Sequence, residues 1–290
     1  MGSADIIPGV SGGTVALITG IYERLIDAIK SVNLLFVPYF FRGFVDRKYF
    51  TKAKENFLGI DFKLLLPLIA GIAAAFLLLA NIIGPLRENY PTYMSAFFFG
   101  LIVSSSLLVF ISIKIPLNFK TIIQSLFFIF MGILAGYFIV GLVTIQTNHS
   151  MLVIFFSGMI TICAMILPGI SGAFILWFLG QYDFMLGILR KLTSLDFSGL
   201  SYTLAYIFGG VFGILIFSRI LSYFIKHYKY VTFSFLLGLM LGALRKPGEL
   251  VINNPENIGI TVVSAAAGVL IVSLFAYYKF YADKKSPSPS

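Results

Sequence analysis

Ala4-Asp5-Ile6-Ile7-Pro8-Gly9-Val10-Ser11-Gly12-Gly13-Thr14 stands near the start of the chain. It returns as Ala164-Met165-Ile166-Leu167-Pro168-Gly169-Ile170-Ser171-Gly172-Ala173-Phe174. The register that sets Pro8 against Pro168 holds without a gap through Gly20 against Gly180, Tyr22 against Tyr182, Glu23 against Asp183 and Lys30 against Arg190, so the chain carries an internal repeat. Proline lacks an N–H, glycine accepts any backbone conformation, and serine bonds its own main chain. Pro-Gly-x-Ser-Gly inside an apolar run therefore breaks a helix, with Pro8-Gly9 and Pro168-Gly169 as the two breaks.

The surroundings of the motifs are apolar throughout. Of 290 residues 59% are hydrophobic and 11% charged, with mean hydropathy +0.96, too little polar surface for a soluble globule. The chain reads as an all-α integral membrane protein. Its net charge of +9 falls between apolar runs, where head-groups and cytoplasmic loops account for it, so nucleic acid is not an expected partner. Cys163 stands alone, which excludes a disulfide framework and a cysteine metal cluster. His149 and His227 have no carboxylate at ligand spacing, so neither a metal nor another cofactor is expected.

Outward from the first motif, Val15 to Ile29 reads as one helix ending in charge. Residues 42–63 mix Lys and Arg with Phe and Tyr and read as a basic interfacial linker. Spans are expected near 64–83, 93–113 and 121–142, each longer than about 17 residues. After the second motif, whose arms run from Met151 to Leu167 and on to about Leu189, spans are expected near 201–225, 231–244 and 259–280. Phe99-Gly100-Leu101 echoes Leu237-Gly238-Leu239. The organisation is thus a first repeat over 1–143, a second over 151–282 and a disordered tail over 283–290.

Three spans per repeat is an odd number. If each broken segment is a re-entrant hairpin, the two hairpins open to opposite faces and the repeats are inverted. The side holding 42–63, 114–120, 226–229 and the tail carries thirteen Lys and Arg against five on the other, which places the C-terminal tail in the cytoplasm. A non-helical break at membrane depth must be buried in protein or line a cavity, so the two tips are expected to face one another and form a site.

Ser11, Gly12, Gly13 and Thr14 bring free amides, a positive helix end and two hydroxyls to that site, and Ser171 and Gly172 repeat part of the set. This suits a phosphate or another anion. Arg24 and Arg219 are candidate cations for it, although Arg24 paired with Asp27 at the head-group level is the simpler reading. Asp5, three residues before Pro8, either caps backbone or carries a proton, and Glu23 is a second proton-coupling candidate.

At the paired motifs, with Gly20-Ile21-Tyr22-Glu23 and Gly238-Leu239-Met240-Leu241-Gly242 as weaker markers, the chain resembles the bacterial and archaeal family catalogued as domain of unknown function 368, regarded as polyprenyl-phosphate translocases. The resemblance covers nearly the whole chain. It implies return of undecaprenyl phosphate, the lipid carrier of cell-wall sugars, from the outer to the inner leaflet of the bacterial plasma membrane, with no catalysis. Members of that family usually carry a further helical stretch before the motif, and the second repeat has such an arm in Met151 to Cys163, so an apolar arm upstream of Met1 is expected.

Two other classes fit part of the pattern. Undecaprenyl-pyrophosphate phosphatases use a similar Pro-Gly-x-Ser motif, but with an arginine where Gly12 stands, and neither break here offers a cation to a transferring phosphoryl group. A carrier or channel for a small anion would use the same amides.

Overall fold

The computed structural model describes residues 1–2, 11–113, 116, 118–142, 148–193 and 196–285. Asp5, Pro8 and Gly9 lie outside the described residues. The described chain is helical: α1 (Gly12–Ile18), α2 (Tyr22–Ser31), α3 (Phe36–Gly43), α4 (Lys48–Leu58), α5 (Phe62–Asn89), α6 (Pro91–Ile113), α7 (Phe119–Val140), α8 (Met151–Ile166), α9 (Gly172–Phe178), α10 (Tyr182–Thr193), α11 (Leu200–His227), α12 (Lys229–Ala243), α13 (Arg245–Asn253) and α14 (Ile258–Lys285). Among the described residues, helices over 91–111, 119–140 and 197–227 are long and apolar enough to cross a membrane. α5 and α14 each run 28 residues, about 42 Å at 1.5 Å per residue.

The segment read as one helix from Val15 to Ile29 is two. Ile21 donates to Ala16 and Gly20 to Leu17, the paired bonds of a Schellman end, with Gly20 at φ +72° where a side chain would be strained. The second arm breaks in the same way: Gln181 donates to Leu176, Gly180 to Trp177, and Gly180 sits at φ +69°. Both halves therefore present a serine N-cap, a seven-residue helix, a glycine turn and an amphipathic helix, in the register that the two motifs set.

Beyond these units the register changes. α5 and α11 have equal length, both end at a tyrosine in nearly the same conformation (Tyr90 φ −136°, ψ 53°; Tyr228 φ −133°, ψ 46°), and both run straight into the next helix. Setting Tyr90 on Tyr228 also carries Gly100 onto Gly238, whereas the register of the motifs would set Tyr90 on Leu250. The first half is thus longer than the second between its amphipathic helix and its first long helix. The helical hairpin α3–α4 lies in that interval.

Long helices pair across the halves. α6 packs on α14 and α12 on α7, while α8 packs on α11. The α7–α12 contact uses Gly132 and Gly136 against Gly238 and Gly242, where any side chain would overlap the facing backbone. Gly2 lies against Ile72 of α5, much as α8 lies against α11. The core at the centre of these pairs holds Tyr22, Ile26, Ile102, Leu236, Leu239 and Met240.

Candidate functional site

A helix that stops inside a packed interior leaves its last carbonyls without partners. α8 ends so at Ile166, and the first motif supplies the donors. Ser11 Oγ lies 2.8 Å from the Met165 carbonyl and 3.0 Å from that of Leu167, sharing its proton between them, and the Tyr22 hydroxyl donates to Ile166 at 3.2 Å. In return the Gly169 amide, in a left-handed residue at φ +85°, donates to Thr14 Oγ1 at 3.0 Å. Gly13 stacks so closely on the Ile166 carbonyl that a Cβ would collide with it. The positive end of α1 thus meets the negative end of α8.

This hub brings the two motifs together, with Ser11, Thr14, Pro168 and Ser171 all buried. It also occupies groups that the sequence reading turned toward a ligand. The Gly13 amide is taken by Ser11 Oγ at 3.0 Å, the Phe174 amide by Ser171 Oγ at 3.4 Å, and a side chain on Gly172 would strike Met165. In the state described, hydroxyls and amides of one break satisfy the carbonyls and amides of the other, as a water-poor interior demands.

Charge gathers one turn away, along α2. Residues 23, 27 and 30 recur at helical spacing and share a face toward the α11–α12 junction. Glu23 pairs with Lys229 Nζ at 2.7 Å, Asp27 with Lys226 Nζ at 2.9 Å, Ser222 Oγ donates to Asp27 at 2.9 Å, and Lys30 Nζ donates to Ser222 Oγ at 3.3 Å. Burial pulls the Asp27 carboxyl upward, but Lys226, Ser222 and Lys30 together outweigh it and hold the group below its usual range.

Two adjoining clefts open at this cluster. One of about 160 Å³ is bounded by Leu17, Gly20, Tyr22 and Phe233 with Glu23 and Lys229; the other, of about 220 Å³, is bounded by Glu23, Asp27, Ser222, Lys226 and Lys229. Each holds the equivalent of roughly five or more waters at about 30 Å³ apiece. They share Glu23 and Lys229, and the first reaches Tyr22, whose hydroxyl belongs to the hub. The ion pairs are about half exposed, so each contributes roughly 1 kcal/mol or less and is readily exchanged for another anion.

Arg24 is not paired with Asp27. It faces Asp61 at 3.7 Å, while Asp27 is engaged by Lys226 and Ser222. Arg219 donates to the carbonyls of Leu215 at 2.6 Å and Val32 at 3.4 Å, holding the C-terminal end of α2 from α11. Glu23 is brought into the cluster, while Arg24 and Arg219 flank it. The sequence reading missed Asp27, Ser222, Lys226 and Lys229 as a group. Lys226 and Lys229 were visible only as loop charge, and nothing local ties them to α2, which lies in the other half of the chain.

The family model described as VCA0040-like, undecaprenyl phosphate translocase-like, matches residues 1–257. A polyprenyl-phosphate transporter of Vibrio cholerae serotype O1 is 36% identical over 249 residues, covering 85% of this chain and 74% of its own length. A polyprenyl-phosphate transporter of Staphylococcus aureus is 32% identical over 257 residues, covering 84% and 81%. No solved structure matches.

Proposed function

The chain belongs to the VCA0040-like family of undecaprenyl phosphate translocase-like proteins, and from that premise we propose that it carries undecaprenyl phosphate from the outer to the inner leaflet of the bacterial plasma membrane. The observation that carries this reading is the pair of clefts at Lys226 and Lys229. Two ammonium groups, paired among the described residues with half-exposed carboxylates, stand beside the hub where the two halves meet. A lipid phosphate that enters displaces Glu23 and Asp27 and takes charge-assisted hydrogen bonds from the lysines.

The thirteen basic residues on the side of α3–α4, Lys226 and Lys229 support a reading in which this mouth faces the cytoplasm, with the C-terminal tail. The clefts then serve the inner-leaflet end of the path. The repeats are inverted, and the units α1–α2 and α8–α10 are the re-entrant elements. Ser11, Gly12, Gly13, Thr14, Ser171 and Gly172 line the passage, which the phosphate crosses when the hub bonds part. Glu23, freed from Lys229 as phosphate binds, is positioned to take up a proton, and Asp5 is a second candidate; Asp5→Asn should then bind lipid phosphate but lose dependence of transport on the proton gradient. The chemistry is transport rather than hydrolysis.

Leaflet-resolved detection of undecaprenyl phosphate in cells tests this directly. Loss of the protein should raise the outer-leaflet pool, and restoring it should lower that pool. An unchanged distribution overturns the reading.

A further inference from the structure

The extra segment of the first half is not needed by the repeated scaffold, which closes without it in the second half. It forms α3 and α4, folded on one another through aromatic edges: Phe36 against Phe57 at 5.5 Å, and Phe40 and Phe44 against Phe50 at 5.6 and 5.4 Å. α4 bends 57° away from the first part of α5. Asn56 of α4 bonds Asn33, just after α2, at 2.7 Å, and the Asp61 amide, at the start of α5, donates to Ser31 at the end of α2 at 3.1 Å.

Between the two helices runs an apolar cleft of about 550 Å³, lined by Phe36, Phe40, Phe50, Ala53 and Phe57. Among the described residues Lys54 is the one charged group in its wall. Arg47, Phe50, Lys54 and Phe57 recur at three- and four-residue spacing, so basic and aromatic groups share one stripe of α4. Among the described residues neither Arg47 nor Lys54 has a carboxylate partner. At the hairpin tip Phe44 is 72% exposed and Val45 92%.

We propose that this cleft is a binding site for an anionic phospholipid of the surrounding leaflet, one hydrocarbon chain lying among the phenylalanines and the phosphate on Lys54 and Arg47. Aromatic groups with basic neighbours beside a spanning helix match the interfacial zone of a bilayer, where an unpaired lysine complements a negative head-group. A neutral lipid would fill the apolar wall yet leave the ammonium without a partner.

The test counts lipids retained by the intact, full-length protein released from detergent, by mass spectrometry, after equilibration with phosphatidylglycerol or phosphatidylcholine. The wild type should retain phosphatidylglycerol over phosphatidylcholine by about fivefold, the equivalent of one basic contact. Lys54→Glu should abolish that preference, and Ala53→Phe, which fills the cleft, should lower retention of both lipids. The melting temperature of Ala53→Phe, close to that of the wild type, separates a filled cleft from a misfolded hairpin; if that variant unfolds, Lys54→Glu decides. Equal retention of the two lipids, or an unchanged preference in Lys54→Glu, overturns the proposal. So does displacement of phosphatidylglycerol by undecaprenyl phosphate in one-to-one ratio, which would make the cleft a station for the transported lipid.

Discussion

The units α1–α2 and α9–α10 share a serine cap, a seven-residue helix and a left-handed glycine, yet they have been put to different uses. In the first, Ser11 reaches across to the orphaned carbonyls of α8, and Glu23, Asp27 and Lys30 dock on the lysines and serine of the α11–α12 end. In the second, among the described residues Ser171 caps its own helix alone, and the positions matching Glu23 and Asp27 are an exposed Asp183 and Gly187, around which a Cβ would meet nothing within 4 Å. Gln181, where the first unit has Ile21, is fully buried and bonded to His149 at 2.8 Å and Asn148 at 3.2 Å. The repeat supplies the shape. Chemistry sits where the copies differ.

That difference can be broken at several strengths. The largest effect is expected at Gly13, whose counterpart Ala173 already carries a side chain. Gly13→Val drives a side chain into the Ile166 carbonyl and should cost on the order of 3 kcal/mol or prevent folding, whereas Ala173→Gly should cost less than about 1 kcal/mol. Melting temperatures of the two purified variants check this, and equal losses would mean that the hub is not asymmetric.

Ser11→Ala is expected next. It strands the Met165 carbonyl and the Gly13 amide in a buried place and leaves the Leu167 carbonyl with the Ile170 amide at 3.4 Å, at about 1–3 kcal/mol. Ser171→Ala removes a single helix cap, at about 1 kcal/mol. Denaturation of the two variants side by side reads the gap directly.

The smallest effect concerns acid. The Asp27 carboxyl lies below its unfolded value of 3.8, so the stability it contributes is complete above that value and is lost only as pH falls through the lower folded value. Asp27→Asn should therefore change thermal stability little with pH between about 5 and 8, and should flatten the acid limb of the wild-type curve below about 4. An acid limb left intact by the substitution would place that sensitivity elsewhere.

Much of the frame was legible because apolar length is written locally. The spans expected at 93–113 and 121–142 are α6 at 91–113 and α7 at 119–140, and the break at Pro168 stands between α8 and α9. Gly100 and Gly238, paired on a three-residue echo, take equivalent places at the α6–α14 and α7–α12 contacts. Other features were hidden for physical reasons. Gly20 aligned with Gly180, but a glycine near a helix end does not announce a left-handed turn until the chain reverses through it. The partner of Arg24 depended on which flank of α2 meets α5, and helical spacing alone favoured Asp27. The lysine clefts needed α2 to meet the end of a helix in the other half of the chain. Side chains at the hub looked like ligands for an anion because a free hydroxyl and a hydroxyl bonded to a distant carbonyl read alike in sequence.

The central claim is that Lys226 and Lys229 hold the lipid phosphate and that Glu23 competes with it. Equilibrium binding of undecaprenyl phosphate to the full-length protein in nanodiscs, comparing Lys229→Gln with Glu23→Gln, separates this from a purely structural clasp, because both substitutions break the same ion pair. Lys229→Gln is expected to weaken binding about tenfold, through loss of a charge-assisted contact, while Glu23→Gln should tighten it by removing the competing carboxylate. Changes of the same sign and size in the two variants would contradict the account and leave the cluster a clasp between the halves.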